Sequence, residues 1–295
     1  MNERTQQTTT FARSSRNGSQ NGMGLQQARD HERERLRTSK TLRMGFPKTE
    51  HMLRMGTGLY MVLAARPGSY KTTLAWVWAS NLALQGRPVL WVGLEMGAGQ
   101  MATMFLSRKT GILRTAIEEH DRSERALPDG MLAELEYAEE KGLPESLVFH
   151  SHGSGLAEIL DSMRKVRYDA VFIDYVQLVR SGPINECDRV SATSMALAEY
   201  AHRTNTFVLV LSQMNRAIEM VAGSGPRRMP TLSDLKGSGQ LEQDGDAVVF
   251  LHQDEFRADR DPTKTLLCCL KNRYGPLGLV RLQARPEIGF IEEEP

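Results

Sequence analysis

Residues 65–73, Ala65–Thr73, read ARPGSYKTT. They follow a strand candidate with no polar alternation, Leu59–Ala65, and open a helix candidate, Lys71–Leu84. This junction decides the fold class, because a strand without alternation is covered on both faces, as in a parallel sheet wrapped by crossover helices. It also carries chemistry. The start of a helix presents unpaired N–H groups and the positive end of its dipole to a phosphate. Lys71 can reach the outer phosphates, and the Thr72 hydroxyl suits Mg2+. Arg66, Pro67, Gly68, Ser69, Tyr70, Lys71, Thr72 and Thr73 therefore form the expected phosphate cradle, with Thr72 as a metal ligand. The strict spacing G-x-x-x-x-G-K-[ST] fails twice, at Ala65 and Tyr70. On this stretch alone, an ordinary strand–turn–helix junction that carries Lys-Thr-Thr stays open as the alternative.

Outward from the junction, the same texture repeats. Pro88–Leu94, Leu147–His150, Ala170–Asp174, Thr206–Ser212 and Asp246–Leu251 read as strands, separated by helix candidates Gly99–Lys109, Pro128–Lys141, Leu156–Val166 and Arg189–Arg203. Alternating strands and helices of this kind give a doubly wound α/β domain. Thr265–Lys271 and Leu279–Gln283 flank a turn containing Gly275, Pro276 and Gly278, so a β-hairpin is expected beside the sheet.

Composition narrows the class. With 295 residues, 40% hydrophobic and 25% charged, the chain is neither collagen-like nor wholly disordered. No apolar run approaches the roughly 20 residues that span a bilayer, and the start of the chain has no apolar core of a secretory signal. No membrane partner and a cytoplasmic location are expected. Cys187, Cys268 and Cys269 lack a disulfide or zinc spacing and read as structural thiols. The net charge of +1 hides a gradient, since residues 1–56 hold eleven basic and five acidic side chains. Residues 1–24 are polar enough to predict a disordered tail. Residues 25–44 read as a linker helix too polar for a core, and residues 45–295 as the main domain.

Three further strands end in polar residues. GLEM (93–96) places Glu95 where a base can polarise an attacking water, VFIDYVQL (171–178) places Asp174 at a strand end as a metal-supporting acid, and VLVLSQMNR (208–216) places Gln213 where it can sense a γ-phosphate. In open parallel sheets the ligand lies outside these carboxyl ends. Each residue taken singly also fits an ordinary polar strand end.

The phosphate loop, GLEM, IDYVQL, LSQMNR, DLKGSGQLEQDGDAVVFL (234–251) and KNRYGPLG (271–278) occur in this order. Together they resemble the RecA-like motor domain of DnaB-type replicative helicases, from about Gly45 to the C-terminus. Alanine at position 65 is usual in that family, while Tyr70 is not. The resemblance implies a RecA-like, mostly parallel sheet with a C-terminal β-hairpin, ATP and Mg2+ as ligands, and a hexameric ring that moves on single-stranded DNA in the 5′ to 3′ direction. It implies that Lys71 and Thr72 hold phosphate and metal, that Asp174 supports the metal, that Glu95 is the general base and that Gln213 couples the γ-phosphate to DNA. It assigns Arg273 as an arginine finger and Lys271 as its companion, both acting on a neighbouring subunit's nucleotide. Lys236, Gly237 and Gly239 become the DNA-facing loop, with Gly237 where relatives often carry an acid. A primase or a helicase loader is the implied protein partner, and the implied type is a ring without the family's helical N-terminal domain, of phage, plasmid, mobile-element or bacterial replication, or else a family member given another job. The alternative is a nucleotide-responsive DNA-binding or replication-partner ring without productive unwinding.

Overall fold

A computed structural model of the chain describes residues 25–123, 127–150, 153–182, 185–214, 228–235, 239–253 and 261–295. Nine strands form one sheet: β1 (Tyr60–Ala65), β2 (Val89–Gly93), β3 (Leu147–His150), β4 (Ala170–Asp174), β5 (Phe207–Gln213), β6 (Ala247–Gln253), β7 (Lys264–Asn272), β8 (Gly278–Arg285) and β9 (Phe290–Glu293). Their order is β3-β2-β4-β5-β1-β6-β7-β8-β9. The first six are parallel and the last three antiparallel. Every residue of β1 and β4 is buried, which is why these strands read as unbroken apolar runs. The chain leaves β1 toward β2 on one side and returns from β5 to β6 on the other. The end of β1 is therefore a switch point, where the connections diverge and leave a crevice.

The helices are α1 (Leu25–Thr38), α2 (Pro47–Leu53), α3 (Lys71–Leu84), α4 (Ala98–Thr110), α5 (Arg114–Ser123), α6 (Asp129–Lys141), α7 (Leu156–Lys165), α8 (Glu186–Thr204) and α9 (Gly239–Asp244). α3 is buried along most of its length because it lies across the sheet under a line of aromatic rings. Trp76 meets Trp91 edge-on at 5.2 Å, Trp91 stacks on Phe172 at 5.9 Å, and Phe172 meets Phe207 at 6.0 Å. Such pairs each add about 0.5–1.5 kcal/mol beyond the area they bury. They hold the first turn of α3 against the carboxyl ends of the central strands.

Two boundaries differ from those expected. The linker helix predicted over 25–44 ends at Thr38, and Thr38–Pro295 forms one compact unit. Leu42 and Met44 are fully buried in its core. What fixes residues 44–46 is a charge rather than an apolar pattern: Glu50, itself buried, accepts the N–H groups of Met44, Gly45 and Phe46 at 2.6, 2.8 and 3.1 Å. At the far end, the expected hairpin β7–β8 is present and continues into a third strand, β9. Glu293 of β9 accepts from the Lys48 and Thr49 N–H groups at 3.0 and 2.7 Å, at the start of α2. The predicted tail, residues 1–24, lies outside the described residues. Among the described residues, no helix is long and apolar enough to cross a membrane. Cys268 and Cys269 are buried and Cys187 is exposed, all three as free thiols. Burial pushes the Cys269 thiol up to about 11, so at neutral pH it stays protonated and inert.

Candidate active site

The chain leaves β1 at Ala65 and must turn within residues 66–70 into α3. Gly68 takes φ +76°, and nothing lies near the position of a side chain there. Tyr70 also turns left-handed, at φ 60° and ψ 19°. The left-handed curvature of the loop is thus shared between Gly68 and the tyrosine. A non-glycine residue held in this region costs on the order of 1–3 kcal/mol. Its phenol hydroxyl donates to the Pro262 carbonyl at 3.4 Å, and its ring packs against the core. Burial, with Asp261 and Glu287 nearby, raises its pKa. The phenol therefore stays neutral and keeps its donor.

Lys71 and Asp174 are both buried, with 3.4 Å between Nζ and Oδ1. Thr72 Oγ1 donates to Asp174 Oδ2 at 2.8 Å. The lysine also lies 5.2 Å from the Tyr175 ring centroid. A buried carboxylate needs such partners, since an unpaired one would be expelled toward water or neutralised. A hydroxyl and a carboxylate side by side at the start of a helix are hard oxygen donors, the type that suits Mg2+ alongside phosphate. This donor set fits an ATP–Mg2+ complex.

Glu95 and Gln213 join the same crevice. Arg66, Pro67, Gly68, Ser69, Tyr70, Lys71, Thr72, Thr73, Glu95 and Gln213 all line one cavity of about 320 Å³. Glu95 is exposed at the turn after β2, and Gly93 is required just before it because a Cβ there would sit 2.7 Å from the Met96 carbonyl. Gln213 is the residue paired with Ala65 across β5 and β1. Its backbone N–H donates to Gln177 Oε1 at 3.4 Å, and Gln177 Nε2 donates to Ser212 Oγ at 2.9 Å. Gln177 lies inside the IDYVQL motif, yet a buried amide joining two strand ends has no signature of its own in a sequence. Arg114 and Pro286 also line the cavity, and sequence reasoning missed both. A larger cavity of about 1030 Å³ lies between α3, α4 and α6, lined by residues such as Phe105 and Tyr137. Lys109 and Lys141 line it, but α3 and α4 reach it with the last turns of their helices (Ala83, Leu84, Lys109, Thr110) and not with a helix start, so size alone does not mark the site.

Lys271 and Arg273 are not part of this cavity. Lys271 Nζ donates to the carbonyls of Glu242 and Gln243 at 2.5 and 3.0 Å, at the C-terminal end of α9. Arg273 donates to the Gln243 carbonyl at 2.8 Å and pairs with Asp246 at 3.0 Å. Desolvation, then the neighbouring Arg273, lowers the Lys271 pKa. Asp246 is almost fully buried and also accepts from His202 at 2.7 Å and from the Tyr60 N–H at 2.9 Å. Burial alone would raise its pKa, but the hydrogen bonds from His202 and the Tyr60 N–H, with the Arg273 guanidinium nearby, hold it below the usual carboxylate range.

Of the expected DNA-facing residues, Lys236 and Gly237 lie outside the described residues. Gly239 opens α9 with open space where a side chain would stand. Just before this loop, Arg228 forms a two-pronged pair with Asp234, both contacts at 2.7 Å. Asp234 in turn accepts from the Thr231 N–H at 2.7 Å. Among the described residues, no group of His, Cys, Asp and Glu is placed to hold a metal by itself.

A phosphate loop, a buried acid on the next-but-one strand and polar residues at the strand ends, all at a switch point, define a RecA-like ATPase fold. The chain belongs to the family described as DnaB-like helicase C terminal domain, whose model matches residues 42–293. It is 33% identical over 244 residues to a probable plasmid replicative DNA helicase of Chlamydia trachomatis serovar L2, a match over 79% of this chain and 50% of that protein. It is 30% identical over 248 residues to the replicative DNA helicase DnaB of Pasteurella multocida, again over 79% and 50%. The chain thus spans about half the length of the curated relatives it matches. Among solved structures, one described as an ATPase domain superposes with a TM-score of 0.76 and 24% identity, over 92% of this chain and 99% of that one. A DnaB-like replicative helicase described with its interactions with primase gives 0.76 and 23%, over 92% and 67%. At these identities the structural likeness speaks for the fold.

Proposed function

We propose that this chain is the motor of an ATP-hydrolysing DNA helicase that works as a hexameric ring on single-stranded DNA, moving 5′ to 3′. The observation that carries this reading is the buried Lys71–Asp174–Thr72 junction, which opens into the cavity shared with Glu95 and Gln213. In this reading Lys71 and the loop N–H groups of residues 66–73 bind the phosphates of ATP. Thr72 and Asp174 hold Mg2+, which when bound would neutralise charge between the outer phosphates. Glu95 accepts a proton from the attacking water, and its exposure leaves room for that water. Gln213, on the strand paired with the phosphate loop, moves with the state of the γ-phosphate.

Charge in phosphoryl transfer spreads over the γ-phosphoryl oxygens, and cations from outside the cavity complete its stabilisation. Arg273 and Lys271 are assigned this role on a neighbouring subunit's nucleotide, so turnover requires a closed ring. The loop containing Lys236, Gly237 and Gly239 follows the DNA backbone without reading sequence. The Arg228–Asp234 pair lies just before Lys236 along the chain. A primase or a helicase loader is the proposed protein partner, in a cytoplasmic DNA transaction of plasmid, phage or chromosomal replication.

The second reading is a nucleotide-responsive ring that binds DNA or a replication partner without unwinding. The observation that favours it is Tyr70 in a strained left-handed conformation on the wall of the nucleotide cavity. ATP turnover with and without single-stranded DNA, measured beside unwinding of a forked duplex, separates the two. Stimulated turnover with strand release supports the helicase. Nucleotide-dependent DNA binding without strand release supports the ring without a motor.

A further inference from the structure

Arg273 is held at three points, and two of them are on Asp246. Its backbone N–H donates to the Asp246 carbonyl at 2.8 Å. Its guanidinium donates to Asp246 Oδ1 at 3.0 Å and to the Gln243 carbonyl at 2.8 Å. The carboxylate is 1% exposed and the arginine side chain 45% exposed, so the cation is held without being enclosed. It stands one residue past Asn272, where the ladder between β6 and β7 ends. Lys271, its companion, rests on two backbone carbonyls instead.

The carboxylate is fixed independently of the arginine. Its other oxygen, Oδ2, accepts from the Tyr60 N–H at 2.9 Å and from His202 Nε2 at 2.7 Å. The Asp246 N–H donates in turn to the Tyr60 carbonyl at 2.8 Å, so the residue is tied to the first position of β1 through both backbone groups of that position. A buried acid needs hydrogen-bond donors, and this one has two without Arg273. Satisfying it does not call for a guanidinium that stands half in solvent. The pairing also differs from that of Arg228 and Asp234, where each of two amines meets its own carboxylate oxygen. Two parallel bonds of that kind are the strong form of the pair. Arg273 gives one amine to the carboxylate and the other to a carbonyl, a hold that sets its place yet can be exchanged for a phosphate. An arginine carries many rotamers, and one ordered before the phosphate arrives brings that ordering to the reaction in advance.

We propose that Asp246 is the positioning residue for Arg273, and that His202 and the Tyr60 N–H hold the carboxylate for that task. This rests on the reading of Arg273 as a cation that acts on a neighbouring subunit's nucleotide. Asp246 itself touches no nucleotide. It sets the place of the guanidinium relative to the start of β1, the strand whose far end carries the subunit's own phosphate loop. A change at Asp246 must therefore be traced to one end of β1 or the other.

The test uses mixed rings of the full chain, assayed for ATP turnover below the melting transition of each variant. Asp246→Asn keeps the size of the side chain and loses its charge. It should bind ATP with the wild-type Kd and turn it over about tenfold more slowly at unchanged KM, a smaller loss than removal of the guanidinium itself. Mixed with Lys71→Ala, it should gain activity above the sum of the two proteins, because Lys71→Ala brings an intact Arg273 to its nucleotide. Mixed with Arg273→Ala, it should gain nothing, since neither protein then offers an ordered guanidinium. Recovery with Arg273→Ala, or with neither partner in rings shown to mix, would mean that Asp246 serves its own phosphate loop or the fold at large, and the proposal is overturned. Wild-type turnover in Asp246→Asn overturns it as well. Should Asp246→Asn fail to fold, His202→Leu, which removes one donor from a half-exposed position, should give a weaker loss with the same pattern of recovery. No loss, or the opposite pattern, again counts against the proposal. If Arg273→Ala and Lys71→Ala do not restore each other in mixed rings, the reading of Arg273 as a neighbour's cation falls, and the proposal with it.

Discussion

Two buried carboxylates, Asp174 and Asp246, each hold a cation, and they do so at opposite ends of the chemistry. Asp174 holds Lys71 and Thr72 inside the nucleotide cavity. Asp246 holds Arg273 outside it, together with His202 and the Tyr60 N–H. The first set is assembled by one chain, because strand ends of a single sheet bring its members together. The second has its cations tied to the end of their own α9, where carbonyls without helical partners accept from Lys and Arg. The difference teaches that half a site can be complete while the other half rests in a local structural role.

The largest expected effect breaks the first set. Lys71→Ala should abolish ATP hydrolysis, because the cation that meets the outer phosphates is then gone, and Glu95→Gln should retain nucleotide binding while turnover stops. Wild-type turnover in Glu95→Gln would show that the base lies elsewhere.

The next tests whether the second set serves a neighbour. Arg273→Ala should bind ATP normally yet lose turnover, and mixing it with Lys71→Ala protein should restore part of the activity, since mixed rings contain intact boundaries. If mixed rings form and stay inactive, Arg273 has the local role alone.

A third prediction concerns Asp246 itself. Its carboxyl titrates below the ordinary value of 3.8, so the stability it contributes is present above that value and lost as pH falls through its folded pKa. Asp246→Asn should be less stable than wild type at pH 7 by about 1–3 kcal/mol. That gap should close on acidification toward the folded pKa. Denaturant melts at pH 7 and near pH 3 check this, and a gap independent of pH would contradict it.

The smallest effect is expected at Tyr70. Glycine would relieve the left-handed strain but lose the contact with Pro262 and the packing of the ring. Tyr70→Gly should therefore change ATP affinity by no more than about tenfold, roughly 1.4 kcal/mol. ATP binding that emerges only in the variant would favour the ring without a motor.

Sequence made the first set legible and left much of the second obscure. Lys71, Glu95, Asp174 and Gln213 sit at the ends of strands whose unbroken apolar runs announce the sheet, so position along the chain gives position in space. Asp246 follows Glu242 and Asp244 in the sequence, and its partners His202, Arg273 and the Tyr60 N–H come from distant parts of the chain, which no periodicity reports. Arg114 belongs to a ten-residue helix with a single fully packed residue, Ile117, and lines the cavity beside residues far from it in the chain. Residues 42–44 read as the end of a polar linker helix because the ordering of the segment depends on Glu50, a carboxylate that satisfies the N–H groups of Met44, Gly45 and Phe46 at once. β9 is four residues long, too short for alternation to stand out.

The carboxylate of Glu293, bound to the N–H groups of Lys48 and Thr49, makes neighbours of two segments separated by nearly the whole chain. The compact unit is closed like a clasped band. Its order of elements is then a matter of where the band is cut, and a chain opened between Lys141 and Gly142, both exposed at the end of α6, and joined across the clasp would keep every strand pairing of the sheet.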